Sequence, residues 1–158
     1  MSENSSTNSK LLAELKTNQN DFIAVAKTIA PAKMNASPKP GEWSPAFVIH
    51  HIADAELHFA TRYLFNIADE KPTIVPFNED VYPERVNYLG RDPHASLAAI
   101  EGVWQLVIDI LSVIPSEDWS RTSIHIEKGP VTLAQIVELA SGHSKAHANQ
   151  IREILASL

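Results

Sequence analysis

The chain has 158 residues and a formal net charge of −6, with 44% hydrophobic and 20% charged residues. A chain of this length can bury one hydrophobic core, so we expect a single domain. Its 13 lysine and arginine residues are scattered and are outnumbered by 19 acidic residues, which argues against a nucleic-acid-binding surface. Cysteine is absent, which excludes disulfides, thiolate metal sites and a cysteine nucleophile.

The first residues have neither the basic nor the apolar segment of a signal peptide, and no apolar run approaches 18 residues. We therefore expect a cytoplasmic protein with no membrane span. Residues 1–8 are polar, which is typical of a disordered tail, so the predicted domain covers residues 9–158.

The first two helices are predicted from apolar periodicity and from proline positions. Apolar residues recur with a helical period over residues 9–30, and Pro31 ends this helix. Residues 31–42 are rich in proline and are predicted to form a loop. Ser44-Pro45 indicates the start of the second helix, with serine as the N-cap, and its pattern extends to about Ala68.

Residues 69–92 are too long for a plain connection and contain three prolines. Loops of this length are typical of functional lids, although the segment could instead simply cover one end of the domain. Asp92-Pro93 indicates the start of the third helix, which ends before Pro115. Residues 123–127 alternate like a short strand that precedes a turn.

Thr132 and Gln135 have the spacing of a capping box, which predicts the start of the last helix. The apolar stripe of this helix has spacings of three and four residues and includes two histidines: Leu133, Ile136, Val137, Ala140, His143, His147, Ile151, Ile154 and Leu158. Four long helices with one long crossover loop and no internal repeats predict an all-α four-helix bundle.

His143 and His147 are four residues apart, so both imidazoles leave the same face of the predicted helix. Burying two imidazoles on a core-facing stripe is costly unless each finds a polar partner. The pair is compatible with two hydrogen-bonded histidines at the bundle edge. It is equally compatible with a metal-binding pair, because this is the spacing that helical metal ligands use. A metal site would need a third ligand from another helix.

The second helix offers four candidates for this third ligand, namely His50, His51, Asp54 and His58. Adjacent helical residues point about 100° apart, so His50 and His51 cannot both face one ion. Ala55 shares the face of His51 and leaves space beside it, which slightly favours His51 over His50.

Three residues of the second helix are candidates for catalytic roles. Arg62 could bind a carboxylate of a cosubstrate, His58 could transfer a proton, and Asp54 could orient an imidazole. The competing interpretation places His58 and Arg62 on a solvated or interfacial face. Glu56 points to the opposite side of the helix.

Longer motifs carry a resemblance to a known family. Trp43-Ser44 is followed by His51 and Ala53-Asp-Ala-Glu56, and Gly129-Pro-Val-Thr-Leu-Ala-Gln-Ile136 precedes His143-x-x-x-His147-x-x-Gln150-Ile151. In this combination the chain resembles the DinB-like family of bacterial four-helix bundles, from about Ser9 to Leu158. The resemblance implies a divalent metal ion held by His51, His143 and His147. Zinc or nickel is the expected ion, with iron or manganese as alternatives.

Three neutral imidazoles would leave such an ion with open positions, as in catalytic sites. Bound water could then have a pKa of about 7, and a bound thiol would be deprotonated. Some family members transfer low-molecular-weight thiols such as bacillithiol or mycothiol, and here the thiol would have to be external. We therefore expect an enzyme with a small-molecule substrate, either a metal-dependent thiol S-transferase or a hydrolase. The alternative is a non-catalytic metal- or ligand-binding module, for example a stress-related homodimer.

Overall fold

The computed structural model describes residues 3–158, and four long helices dominate it. The helices are α1 (Glu3–Lys27), α2 (Pro31–Met34), α3 (Pro45–Ala68), α4 (Tyr82–Arg85), α5 (Pro93–Val113) and α6 (Leu133–Ser157). The strands are β1 (Thr73–Ile74), β2 (Thr122–His125) and β3 (Gly129–Thr132). Helices α1, α3, α5 and α6 form the bundle, so the predicted fold class is confirmed.

Each long helix packs against two others. Helix α1 lies against α6 and α5, and α3 lies against α5 and α6. Large apolar side chains from all four helices fill the interior, including Phe22, Ile49, Ile100 and Ile151, none of which is exposed. The contact between α3 and α6 matters most for function, because all the predicted metal ligands lie on these two helices.

The predicted helix starts are confirmed by their capping hydrogen bonds. The Ser44 hydroxyl accepts a hydrogen bond from the Phe47 amide at the start of α3. The Asp92 carboxylate accepts one from the His94 amide at the start of α5. Such caps pair amides that have no partner inside the helix. They are local in sequence, and this explains why the sequence alone locates them.

Helix α1 begins earlier than the sequence analysis predicts. It starts at Glu3, which corrects the prediction of a disordered tail for residues 3–8. The Asn8 side-chain amide donates to the carbonyl oxygen and the hydroxyl of Ser116, each at 3.1 Å. These contacts tie the start of α1 to the turn that follows α5. Met1 and Ser2 lie outside the described residues.

Two smaller elements also differ from the predictions. The segment 31–42 is not entirely a loop, because Pro31–Met34 forms one helical turn. The predicted strand near residue 123 belongs to a three-stranded sheet. Strand β2 pairs with β3 in antiparallel fashion and with β1 in parallel fashion, and β1 was not predicted. The sheet therefore fixes the start of the long 69–92 segment beside the end of the bundle.

Helix α5 is the one helix among residues 3–158 that is long and apolar enough to cross a membrane. The mean hydropathy of its most apolar window is 1.5, and 28% of that window is buried. Core helices of globular bundles pass the same test, so this finding has little weight by itself. It does qualify the expectation, based on uninterrupted apolar runs, that the chain contains no candidate span.

Candidate metal centre

The three histidines that are predicted to be metal ligands lie together where α3 packs against α6. His51 comes from α3, and His143 and His147 come from successive turns of α6. One ligand atom from each of the three lies within 4.8 Å of both others. His51 is 1% exposed. His143 and His147 are only partly buried, because the neighbouring residues Ser144 and Ala148 form the fully buried face of this part of α6.

The separations between the imidazole nitrogens suit a shared ion. The Nε2 atom of His143 lies 3.1 Å from the Nε2 atom of His51 and 3.1 Å from that of His147. Two nitrogens bound to one zinc ion at about 2.0 to 2.1 Å would be roughly 2.8 to 3.4 Å apart, depending on the angle between them. Ring centroids 4.4 to 5.1 Å apart place the three side chains around one point. This donor set fits a divalent transition-metal ion.

All three imidazoles are held in the neutral form that metal binding requires. Burial lowers the pKa of His51 from 6.5 to about 4, and the nearby His147 lowers it further. Burial also lowers the pKa of His143 to about 3, with contributions from His147 and His51. The pKa of His147 is lowered by burial, although Gln150 and Glu79 oppose this effect. Neutral imidazoles present lone pairs rather than protons.

Gln150 sets the orientation of one of these lone pairs. Its side-chain oxygen accepts a hydrogen bond from His147 Nδ1 at 2.7 Å, so the proton of His147 is on Nδ1 and the Nε2 lone pair faces the other histidines. His143 has no such support, because its buried Nδ1 has no hydrogen-bond partner among residues 3–158. The sequence motif contained Gln150, but its spacing did not reveal this role.

A cleft of about 380 Å³ opens beside the three histidines. The indole of Trp43 forms one wall, with its ring centroid 5.2 Å from that of His51. The residues that line this cleft are Pro38, Gly41, Glu42, Trp43, His51, Glu79, His147, Gln150 and Ile154. They include two carboxylates and no lysine or arginine. The cleft is large enough for a small molecule to approach the histidines.

His50 and Asp54, both considered as third ligands, face a separate cluster. His50 Nδ1 is hydrogen-bonded to the Ser96 hydroxyl at 2.8 Å. Arg91 donates to both carboxylate oxygens of Asp54 at 2.8 and 2.9 Å and to Ser96 at 3.1 Å. Asp54 therefore forms an ion pair with Arg91 and makes no hydrogen bond to the three histidines, although its charge acts on His51.

His58 and Arg62 bind the long loop rather than the three histidines. His58 Nε2 is hydrogen-bonded to the Tyr82 hydroxyl at 2.8 Å, and its ring stacks on Phe77 at 4.3 Å. Arg62 donates to the carbonyl oxygen of Val75 at 3.4 Å. The structure therefore places both side chains beneath the 69–92 segment, where they hold it against α3.

Glu79 is a site residue that the sequence offers only as one of four polar groups of its loop, together with Asn78, Asp80 and Arg85. Its Oε2 atom lies 3.8 Å from His51 Nε2. The loop has no periodic pattern, so nothing in the sequence could distinguish Glu79 from Asp80 or Glu84. Only the tertiary structure brings one of these carboxylates to the histidines.

Comparison with known proteins identifies the family to which this sequence is similar. A sequence model of the DinB superfamily matches residues 14–151. A protein of Oceanobacillus iheyensis, named as a candidate metal-dependent hydrolase, is 27% identical over 122 residues, which are 77% of this chain and 70% of that protein. A similarly named protein of Bacillus cereus is 23% identical over 144 residues, which are 90% of this chain and 82% of that protein.

Solved structures show the same fold. YfiT from Bacillus subtilis, described as a candidate metal-dependent hydrolase with an unusual four-helix-bundle topology, has a TM-score of 0.84. The match has 22% identity and covers 99% of this chain and 89% of YfiT. A mycothiol-dependent maleylpyruvate isomerase has a TM-score of 0.75 at 14% identity, covering 96% of this chain and 63% of the isomerase. At these identities the likeness concerns the fold alone.

Proposed function

We propose that this chain, which belongs to the DinB superfamily, is a divalent-metal-dependent hydrolase whose ligands are His51, His143 and His147. The observation that supports this most is the position of His143 Nε2, which lies 3.1 Å from the Nε2 atoms of both His51 and His147. The names of the sequence relatives support the same reaction class. The protein would therefore act on a small molecule that carries a hydrolysable bond.

The histidines provide a preformed metal site because their protonation states and orientations are already set. Burial keeps His51 and His143 neutral well below pH 7. The hydrogen bond from His147 to Gln150 turns a lone pair towards the shared point. A divalent ion held there would supply a Lewis acid and would lower the pKa of bound water to about 7. With only three protein ligands from α3 and α6, room remains for substrate.

The cleft beside the histidines would select the substrate. Trp43 offers an apolar wall, and Glu42 and Glu79 make the opening acidic. Glu42 is partly balanced by Lys39, whose Nζ atom lies 3.7 Å from its carboxylate. An acidic opening disfavours anionic substrates, because like charges repel when they are brought close together. We therefore propose a neutral or cationic substrate.

A thiol S-transferase is the second candidate. The chain contains no cysteine, so a thiol reaction at this site would need an external low-molecular-weight thiol. The observation that favours it is the shared fold with a mycothiol-dependent isomerase. The two candidates differ in what the reaction requires from solution, since a hydrolase needs only water.

The test is turnover of matched panels of esters, amides and chlorodinitrobenzene-type electrophiles, with zinc or nickel present and with or without added thiol. We expect metal-dependent hydrolysis without thiol, its loss in His147→Ala, and wild-type rates in His94→Ala, which removes an exposed histidine of α5. Turnover that requires a thiol would instead establish the transferase. Absence of turnover across the panels, with metal bound, would favour the non-catalytic binding module.

A further inference from the structure

The carboxylate of Glu79 lies in the cleft beside the three histidines. Its Oε2 atom lies 3.8 Å from His51 Nε2, and both residues line the same cleft. A carboxylate and a group of imidazole lone pairs are all electron donors, and a cation is the species that would hold them together.

Contacts on both sides of Glu79 hold it in this position. The ring of Phe77 stacks on His58 of α3 with an interplanar angle of 6°. The hydroxyl of Tyr82 is hydrogen-bonded to the same His58. Between them, the Asn78 side-chain oxygen accepts a hydrogen bond from the Asp80 amide at 3.1 Å and caps the turn Glu79–Val81. The turn is thus fastened to α3, and Glu79 is directed over the centre.

The charges of the site also favour an anionic ligand at this place. Three neutral imidazoles would leave a divalent ion with its full double charge. No lysine or arginine among residues 3–158 forms an ion pair with Glu79. The Glu79 side chain is 59% exposed, so it can turn towards the ion or away from it without disturbing the core.

We propose that Glu79 is a fourth, displaceable ligand of the metal ion, carried by the loop that covers the site. This inference depends on the proposed metal centre. With an ion bound, Glu79 would be its ligand on the side of the cleft. A donor atom of a substrate that enters the cleft would displace Glu79, whose exposed side chain can turn towards solvent. The loop then couples metal coordination to substrate entry, since the His58 contacts and Glu79 belong to the same segment.

The test is titration of the metal-free protein with Co²⁺, which reports affinity through chelator competition and coordination through its visible d–d absorption bands. Glu79→Gln is compared with wild type and with Glu84→Gln, which removes an equal charge from an exposed position of the same loop. We expect Glu79→Gln to weaken Co²⁺ binding about 10-fold or more, since even partners outside the ligand shell are worth this much. The d–d absorption bands of the Co²⁺ complex of Glu79→Gln should also shift in wavelength, whereas the affinity and bands of Glu84→Gln should match those of wild type.

Two results would overturn the inference. Unchanged affinity and bands in Glu79→Gln would show that this carboxylate is not a ligand. Weaker binding with unmoved bands would show that it acts only through its charge. Failure of the metal centre itself would look different, because wild type would then bind Co²⁺ no better than His143→Ala does.

Discussion

Two adjacent histidines, His50 and His51, occupy two different buried environments. Both are almost fully buried, with exposures of 0% and 1%, and burial lowers the pKa of each to about 4. His51 faces the Nε2 atom of His143, which also faces His147. His50 faces the hydroxyl of Ser96, which also accepts a hydrogen bond from Arg91.

The comparison shows that neither burial nor a lowered pKa identifies a metal ligand. The Ser96 hydroxyl accepts from Arg91 and so can donate its own hydrogen to His50 Nδ1, which pairs this nitrogen with a protein group, whereas the buried Nε2 of His50 has no hydrogen-bond partner among residues 3–158. In the cluster of His51, the Nε2 atom of His143 lies 3.1 Å from the Nε2 atoms of both His51 and His147. Convergence of three imidazole nitrogens is therefore the feature that distinguishes the candidate metal centre.

The largest expected effect separates the two histidines by metal affinity. We expect His51→Ala to weaken Zn²⁺ binding more than 100-fold, because it removes a direct ligand and even an outer partner is worth about 10- to 100-fold. His50→Asn keeps an oxygen near Ser96 and should bind Zn²⁺ as wild type does. Competition with a chromophoric chelator measures both. Equal losses in the two variants would mean that general damage to α3, rather than ligation, explains the result.

The second expected effect is stabilisation by metal. Binding to the folded state alone contributes about 2.7 kcal/mol at a free metal concentration of 100 times Kd, which raises the Tm of a domain of this size by about 5 to 10 °C. Thermal denaturation after EDTA treatment and then Zn²⁺ addition should show this rise in wild type and in His50→Asn. A Tm that does not move in wild type would count against the metal centre.

The third effect concerns the cluster of His50. Asp54→Ala removes two charge-assisted hydrogen bonds from Arg91 and leaves a partly buried cation without its partner. We expect the free energy of unfolding to fall by about 2 kcal/mol, as measured by urea denaturation. Zn²⁺ affinity should change little, because Asp54 does not contact the three histidines. Loss of metal binding with unchanged stability would instead make Asp54 part of the centre.

The smallest expected effect is the change of stability with pH that is caused by a buried carboxyl group, that of Glu56. Glu56 is 1% exposed, and burial raises its pKa from 4.5 to about 8, although the nearby Trp104 opposes this effect. The folded state then binds more protons than the unfolded state between these two pKa values. Its contribution to stability is therefore full below about pH 4.5 and is lost as the pH rises through 8.

Urea denaturation at pH 7 and pH 8 tests this sign. Wild type should lose about 1 kcal/mol over this interval, and Glu56→Gln should not. The buried histidines act in the opposite direction, because their lowered pKa values remove stability only as the pH falls below 6.5. The interval above pH 7 therefore isolates Glu56. A drop of equal size in both proteins would contradict the assigned pKa shift.

The sequence predicts those parts of the fold that depend on nearby residues. Ser44, Asp92 and Thr132 cap their helices through contacts within three residues, so their positions are visible without a structure. Strand β1 depends on pairing Thr73 with Ile124, and the start of α1 depends on contacts with Ser116. These contacts link distant segments and have no local signal.

The residues of the candidate site likewise include some that local spacing predicts and others that depend on tertiary contacts. His143 and His147 are one helical turn apart, so their spacing alone suggested a shared ligand. Only the space beside Ala55 and the family resemblance favour His51 over His50 as the third ligand. Glu79 and the pairing of Arg91 with Asp54 depend on how the 69–92 segment folds over α3, and the sequence of that segment does not encode this in any periodic pattern.

Elemental analysis of protein purified without a histidine tag tests the central claim most directly. Wild type, His147→Ala and His94→Ala would be expressed identically, dialysed without chelator and measured by mass spectrometry of metals. We expect close to one divalent transition-metal ion per chain in wild type and in His94→Ala, and almost none in His147→Ala. Metal content near zero in wild type even after incubation with Zn²⁺ or Ni²⁺, or equal content in His147→Ala, would contradict the assignment of a metal centre to His51, His143 and His147.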